Sequence, residues 1–147
     1  MTVPRLRDSP ILHVSLRILF PLIVLFSFQL FSYGANSPGG GFQAGVVFGT
    51  LIVVLDLLWD RLHYSNRFYG LVEMVGLLLL AGCFVAGWVR TGYPFGGFYG
   101  WTGKGLLLSN RYFWLLNLGI FLEVAGSIVL IVRYFLSDTH ATPLAQD

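Results

Sequence analysis

Ser37 to Gly45 reads SPGGGFQAG, and it lies between two apolar runs, Ile18–Phe31 and Phe42–Leu55. Three consecutive glycines are costly to order, because each gives up more backbone freedom than any other residue. The stretch has no Walker lysine and no G-x-G-x-x-G opening the helix of a βαβ unit, so a nucleotide-binding reading fails. A tight re-entry from one span into the next fits. Pro38-Gly39 favours a turn, the glycines Gly39, Gly40 and Gly41 allow positive φ, and Gln43 can meet exposed amides in the first turn of the next helix. Two glycines would turn the chain, so the third asks for a reason of its own.

The flanks decide the class. The chain has 147 residues, 56% hydrophobic and 11% charged, where a soluble domain carries about a quarter charged residues. This is the composition of an all-α integral membrane protein. A net charge of +2, scattered along the chain, gives nucleic acid nothing to bind. The one cysteine, Cys83, lies in an apolar run, which excludes an intrachain disulfide and a thiolate cluster. His13, His63 and His140 have no ligand-type company, so no metal site or bound cofactor is expected. Arg5, Arg7 and Arg17 precede the first apolar run, but Tyr33 stands where a cleavage site after Ala35 needs a small residue. That run is expected to be a retained anchor rather than a signal peptide.

Spanning hydrocarbon takes about 20 apolar residues as helix. Four windows qualify: Ile11–Phe31, Gly41–Trp59, Leu71–Val89 and Tyr112–Arg133. Helix is forced there, because unpaired backbone groups find no water. Pro21 is a candidate kink. Trp59, Trp88, Trp101 and Trp114 all fall at span ends or in a loop, where amphipathic rings prefer to sit. An even number of spans puts both termini on one side. That side carries Arg5, Arg7, Arg17, Arg61, Arg67 and Arg133, against Arg90, Lys104 and Arg111 on the other, so the termini are expected in the cytoplasm. Residues 1–136 make the membrane domain, and 137–147 read as a mobile polar tail.

Three acids, Asp56, Glu73 and Glu123, fall within or at the edge of these spans. A carboxylate at mid-bilayer costs about 2.5–3.5 kcal/mol on insertion scales, so it faces protein or a water-filled cavity. Glu123 is deepest, roughly midway between Arg111 and Arg133. At about 100° per residue it shares a face with Gly119, Gly126 and Ser127, small residues that let another helix approach. Asn117 lies about 120° away and need not share that site. Glu123 is either an ion-handling group or a buried acid bonded to a neighbour for packing. Asp56 shares a face with Gly49 and Gly45, a small-xxx-small pattern, and lies one turn from Arg61; pairing with Arg61 or Arg67 is the plainer reading. Glu73 either forms a cytoplasmic mouth for a proton or cation, or favours the positive end of a helix dipole. The loop Gly92–Gly105, GYPFGGFYGWTGKG, suits an interfacial cap or a contact with another subunit.

SPGGGFQAG following a span, together with NLGIFLEVAGS (Asn117–Ser127) in the last span, resembles the MnhB domain, a small component of Mrp-type multisubunit Na⁺/H⁺ antiporters. Its relatives occur in membrane-bound hydrogenases and related ion-pumping complexes. The resemblance runs from about Pro10 to Phe135. By family pattern Pro38, Gly39, Gly40, Gly41 and Gln43 form the loop signature, and Gly119, Glu123 and Gly126 the last-span signature. Phe121 stands where relatives often have another glycine, which implies a looser or reassigned helix contact.

The resemblance implies a non-catalytic subunit of a hetero-oligomeric complex in a prokaryotic cell membrane, helping to line or seal a path for Na⁺ or H⁺. The residues agree, since one deep acid on a small-residue face is too little for a self-sufficient antiporter. In that reading Glu123 takes up a proton or helps coordinate Na⁺, with Glu73 or Asp56 nearer the mouth. The alternative is a purely structural or assembly subunit, in which the glycine loop contacts another subunit. Glu123→Gln then is mild, while Gly40→Val breaks the complex.

Overall fold

A computed structural model describes residues 9–34, 39–59, 65–94 and 111–141; for residues 59, 111, 112 and 138–141 it describes the backbone only. The described residues form four helices: α1 (Pro10–Tyr33), α2 (Gly41–Trp59), α3 (Asn66–Thr91) and α4 (Arg111–Ala141). All four are long and apolar enough to cross a membrane. Three helices exceed the windows expected from hydropathy, α1 by only one residue at its start and two at its end. α3 starts at Asn66, where the Ser65 hydroxyl accepts from the Arg67 amide at 3.3 Å, a polar cap that a hydropathy window passes over. α4 runs to Ala141, so Ser137 to Ala141 of the expected tail are helical, and 142–147 lie outside the described residues. α1 passes through Pro21 as one helix.

α4 is the centre of the packing, touching both α2 and α3, while α1 packs mainly on α2 and reaches α4 through Phe31. Burial follows this order: 33% of the α4 span is buried, against 11% of the α1 span. The apolar remainder, including Ile18, Leu25 and Phe28 of α1 and Leu77, Leu78 and Val85 of α3, is exposed. In a bilayer that surface faces hydrocarbon, so apolar burial contributes little and close packing holds the helices together.

The glycines place the helices. Gly41, Gly45 and Gly49 recur every fourth residue along α2, and each lies against α4. A Cβ on Gly41 would collide with the Asn117 backbone. One on Gly45 would lie 3.0 Å from the Phe121 carbonyl oxygen, and one on Gly49 3.0 Å from that of Ala125. Positions 117, 121 and 125 also step by four, so α2 and α4 run parallel with backbones nearly touching. The contact expected of Gly45 and Gly49 is thus one turn longer, because Gly41 joins it. α3 runs antiparallel to α4, with Gly76 against Gly119 and Glu123, and Gly126 against Tyr69 and Glu73.

The three-glycine loop now has its reason. Gly39 lies against the Leu30 carbonyl, where a Cβ would approach to 2.8 Å. Gly40 adopts φ 129°, a region that side chains rarely tolerate, and its amide donates to Leu30 O at 3.0 Å. Gly41 lies on α4. Each glycine meets a different demand. Below the loop, the buried Ser27 hydroxyl donates to Ala44 O at 2.9 Å, tying α1 to α2. Pro38 lies outside the described residues, as do Arg61, His63, Trp101 and positions 95–105 of the second glycine-aromatic loop.

Candidate functional site

Along the α3–α4 contact, residues 66, 69, 73 and 76 of α3 face residues 119, 123, 126, 127 and 133 of α4. The innermost acid is Glu123. It is partly buried, and its amide and Cα lie against Gly76, where a Cβ would come within 2.5 Å of the Glu123 nitrogen. Ten residues separate it from Arg133, about 15 Å along a helix, and twelve separate it from Arg111, about 18 Å. Glu123 is therefore at mid-span. Among the described residues, no hydrogen bond or ion pair reaches its carboxylate.

One turn toward the C-terminal end of α4, Ser127 Oγ donates to Glu73 Oε1 at 2.7 Å. Glu73 is expected from sequence at the start of a span, where a helix dipole would favour it. In the structure α3 begins at Asn66, two turns earlier, so Glu73 lies beyond the reach of the dipole, which falls off within the first turn. Its partner is a hydroxyl on α4 instead.

The seam ends in an arginine. Arg133 Nε and Nη2 both approach Asp56 Oδ2 at 2.7 Å, Nη1 donates to Asn66 Oδ1 at 3.1 Å, and the guanidinium lies 4.7 Å from the centre of the Tyr69 ring. α2, α3 and α4 meet on this one side chain. Among the described residues the partner of Asp56 is Arg133 rather than Arg67, because α2 and α4 run parallel and bring Asp56 level with it; Arg61 lies outside those residues. No run of sequence announces a pair separated by 77 positions. On the opposite side of Glu123 the seam is apolar, with Leu79 and Leu80 packed against Gly119. Among the described residues, the polar side chains that α3 and α4 share therefore lie in one half of their contact, while Asn117 in the other half of α4 faces α2.

Asn117 contributes where sequence reasoning gives it no role. Its side-chain oxygen Oδ1 accepts from the Gly41 amide at 2.8 Å, and its Nδ2 donates to Phe113 O at 3.2 Å. It caps α2 from another helix, the role expected of Gln43, which is exposed. The signal is there to read: an asparagine deep in an apolar span satisfies someone's backbone. Phe121 keeps its contact in another form. Its carbonyl lies under Gly45, and its ring packs 5.6 Å from Phe31 and 5.5 Å from Phe48.

Among the described residues no group of three or more His, Cys, Asp or Glu is arranged to hold a metal ion. The arrangement offers one mid-span carboxylate, a hydrogen-bonded acid beside it, and an ion pair closing one end.

Comparison with known proteins matches residues 11–130 to the family described as a domain related to the MnhB subunit of Na⁺/H⁺ antiporter. Similar proteins include the B component of the Na⁺/H⁺ antiporter of Bacillus subtilis, 35% identical over 133 residues, covering 84% of this chain and 90% of that protein. Another is the B component of the Na⁺/H⁺ antiporter of Alkalihalophilus pseudofirmus, 28% identical over 90 residues, covering 60% of this chain and 62% of that protein. The family match covers α2 and α3, nearly all of α1 and the first two-thirds of α4, and includes the glycine loop, Glu73 and Glu123. The chain belongs to the MnhB family and is a multi-pass protein of a prokaryotic membrane.

Proposed function

We propose that this chain is the MnhB component of a multisubunit Na⁺/H⁺ antiporter, and that its α3–α4 seam lines half of an ion path. Glu123 takes up the ion at mid-span. Glu73 and Asp56 lie between it and the end of the bundle where α4 terminates. The observation that carries this reading is a mid-span carboxylate with no protein partner among the described residues, at the inner end of a one-sided polar seam. A carboxylate kept only for packing has a bonded partner, because an unsatisfied one is costly in hydrocarbon. Glu73 and Asp56 have such partners; Glu123 has none among the described residues.

The chain does not perform the exchange alone. Leu79 and Leu80 close the other half of the seam, so the second half of the path comes from neighbouring subunits. Na⁺ and H⁺ are the transported ions, with no resident cofactor. The purely structural reading draws support from the packing glycines, yet the contacts of Gly39, Gly40 and Gly41 fall within this chain. The loop shapes the subunit itself.

Glu123→Gln keeps the shape and removes the charge. In vesicles containing the assembled complex, exchange is expected to fall about tenfold or more, a modest loss for a proton-transfer group, with subunit composition unchanged on native gels. Exchange at the native rate removes Glu123 from the path.

A further inference from the structure

We propose that the cleft between α1 and α4 binds one acyl chain of a membrane phospholipid, in the leaflet where the glycine loop lies. The site is separate from the α3–α4 seam and does not depend on the ion-path reading.

The cleft is half-open and encloses about 200 Å³. Val24, Phe28 and Phe31 of α1 form one wall, Trp114 and Phe121 of α4 the other, and Phe48 of α2 the floor. Phe31 lies seven positions beyond Val24, and Phe121 seven beyond Trp114, about 10 Å along each helix. The slot therefore runs along the helices, from Trp114 near the start of α4 down to Val24 near the middle of α1. That is most of one leaflet, which has about 15 Å of hydrocarbon. The rings keep the space open. Phe31 packs edge-on against Trp114 at 6.3 Å and against Phe121 at 5.6 Å, and Phe48 meets Phe121 at 5.5 Å. Rings braced on one another cannot fold into the gap.

The walls select the occupant. The hydroxyl that lines the cleft, Ser27 Oγ, already donates to Ala44 O at 2.9 Å, so the interior asks for no polar partner. An empty slot forfeits dispersion contacts on every wall, and a run of methylenes restores them. A second helix, about 10–12 Å across, is too thick for a space on the scale of the ~150 Å³ cavity that takes benzene. A single side chain from a neighbour would enter across the helices and fill only part of a slot that runs along them. An acyl chain lies along the bilayer normal, as the slot does. At the top, the half-buried Trp114 has no acceptor for its indole N–H among the described residues. It stands at the depth where lipid ester carbonyls and phosphates lie. Tail and head of one lipid thus meet complementary groups.

The test places the assembled complex in vesicles of phosphatidylethanolamine and phosphatidylglycerol, with a trace of phosphatidylglycerol carrying a photoactivatable diazirine midway along one acyl chain. Labelled positions are mapped by mass spectrometry. Label should concentrate around Val24, Phe28 and Leu118 and exceed that on Ile18 of α1 and Leu77 of α3, which are exposed outside the cleft. Val24→Phe fills the slot and should cut labelling there about fivefold or more, because a close-packed site has no room for the chain. Label on Leu77 should not change. Leu118→Phe should act in the same way if Val24→Phe fails to assemble. Trp114→Phe keeps the wall and removes the N–H, and should weaken labelling about threefold, the scale of one hydrogen bond in a membrane. Label in the cleft no stronger than on Ile18 and Leu77, or unchanged in the filling variants, would mean that bulk lipid only brushes this face. No label in the cleft would mean that a neighbouring subunit fills it. Either result overturns the site.

Discussion

Gly40, Gly41 and Gly76 are intolerant for two different reasons. At Gly40 the obstacle is backbone conformation: φ is 129°, and the nearest atom to an added Cβ is Asn117 Oδ1 at 3.4 Å. A side chain there costs about 1–3 kcal/mol of strain whatever the space. At Gly41 and Gly76 the helix is ordinary and the obstacle is the facing backbone, which cannot move aside as a flexible side chain would. Gly82 is the internal control, because nothing lies within 4 Å of an added Cβ. Gly82→Ala is expected to raise thermal stability in detergent by about 0.5–1 kcal/mol through helix propensity, while Gly76→Ala lowers it by more than that. Equal effects of the two would mean that α3 and α4 are not in backbone contact. Asn117→Ala leaves the Gly41 amide without its acceptor at a buried position, an expected loss of about 1–3 kcal/mol, read as a lower melting temperature of the detergent-solubilised complex.

At the scale of helices, the spans are legible in the sequence and their neighbours are not. Hydropathy and the absence of water at the backbone fix four helices, and small residues beside Glu123 and Asp56 correctly mark faces that meet protein. What those faces meet depends on helix direction and order, which no local pattern records. Proximity in sequence therefore points Asp56 at Arg61 or Arg67 rather than at Arg133. Asn117 escapes notice for a related reason: it lies off the Glu123 face because it faces a different helix, α2. The Asp56–Arg133 pair is partly exposed, so it stands between a surface pair and a buried one, and a double-mutant cycle with Asp56→Asn and Arg133→Gln should give a coupling of about 1–2 kcal/mol. A coupling near zero would leave the pair as a bystander at the helix ends. Ser127→Ala should cost about 0.5–1.5 kcal/mol, the range for side-chain hydrogen bonds between membrane helices.

For the whole molecule, the helix order α1–α2–α4–α3 leaves α1 bound on one side only, through Ser27, Leu30 and the aromatic contacts of Phe31. The N-terminal end of α1 and the C-terminal end of α4 lie at the same end of the bundle, beside the Asp56–Arg133 pair. From the arginine distribution that end is expected to face the cytoplasm. A fluorescent protein fused after Asp147 is then expected to mature and glow, and a periplasmic phosphatase fused at the same point to stay inactive; the reverse result inverts the subunit.

α2 and α4 are fastened at both extremities and along their length. Asn117 holds the first amide of α2, three glycines mesh with α4 through the middle, and Arg133 grips Asp56 near the far tip. Side-by-side rods pinned at two points and toothed between them cannot slide, roll or splay without breaking several contacts together. These two helices are therefore expected to move as one rigid body.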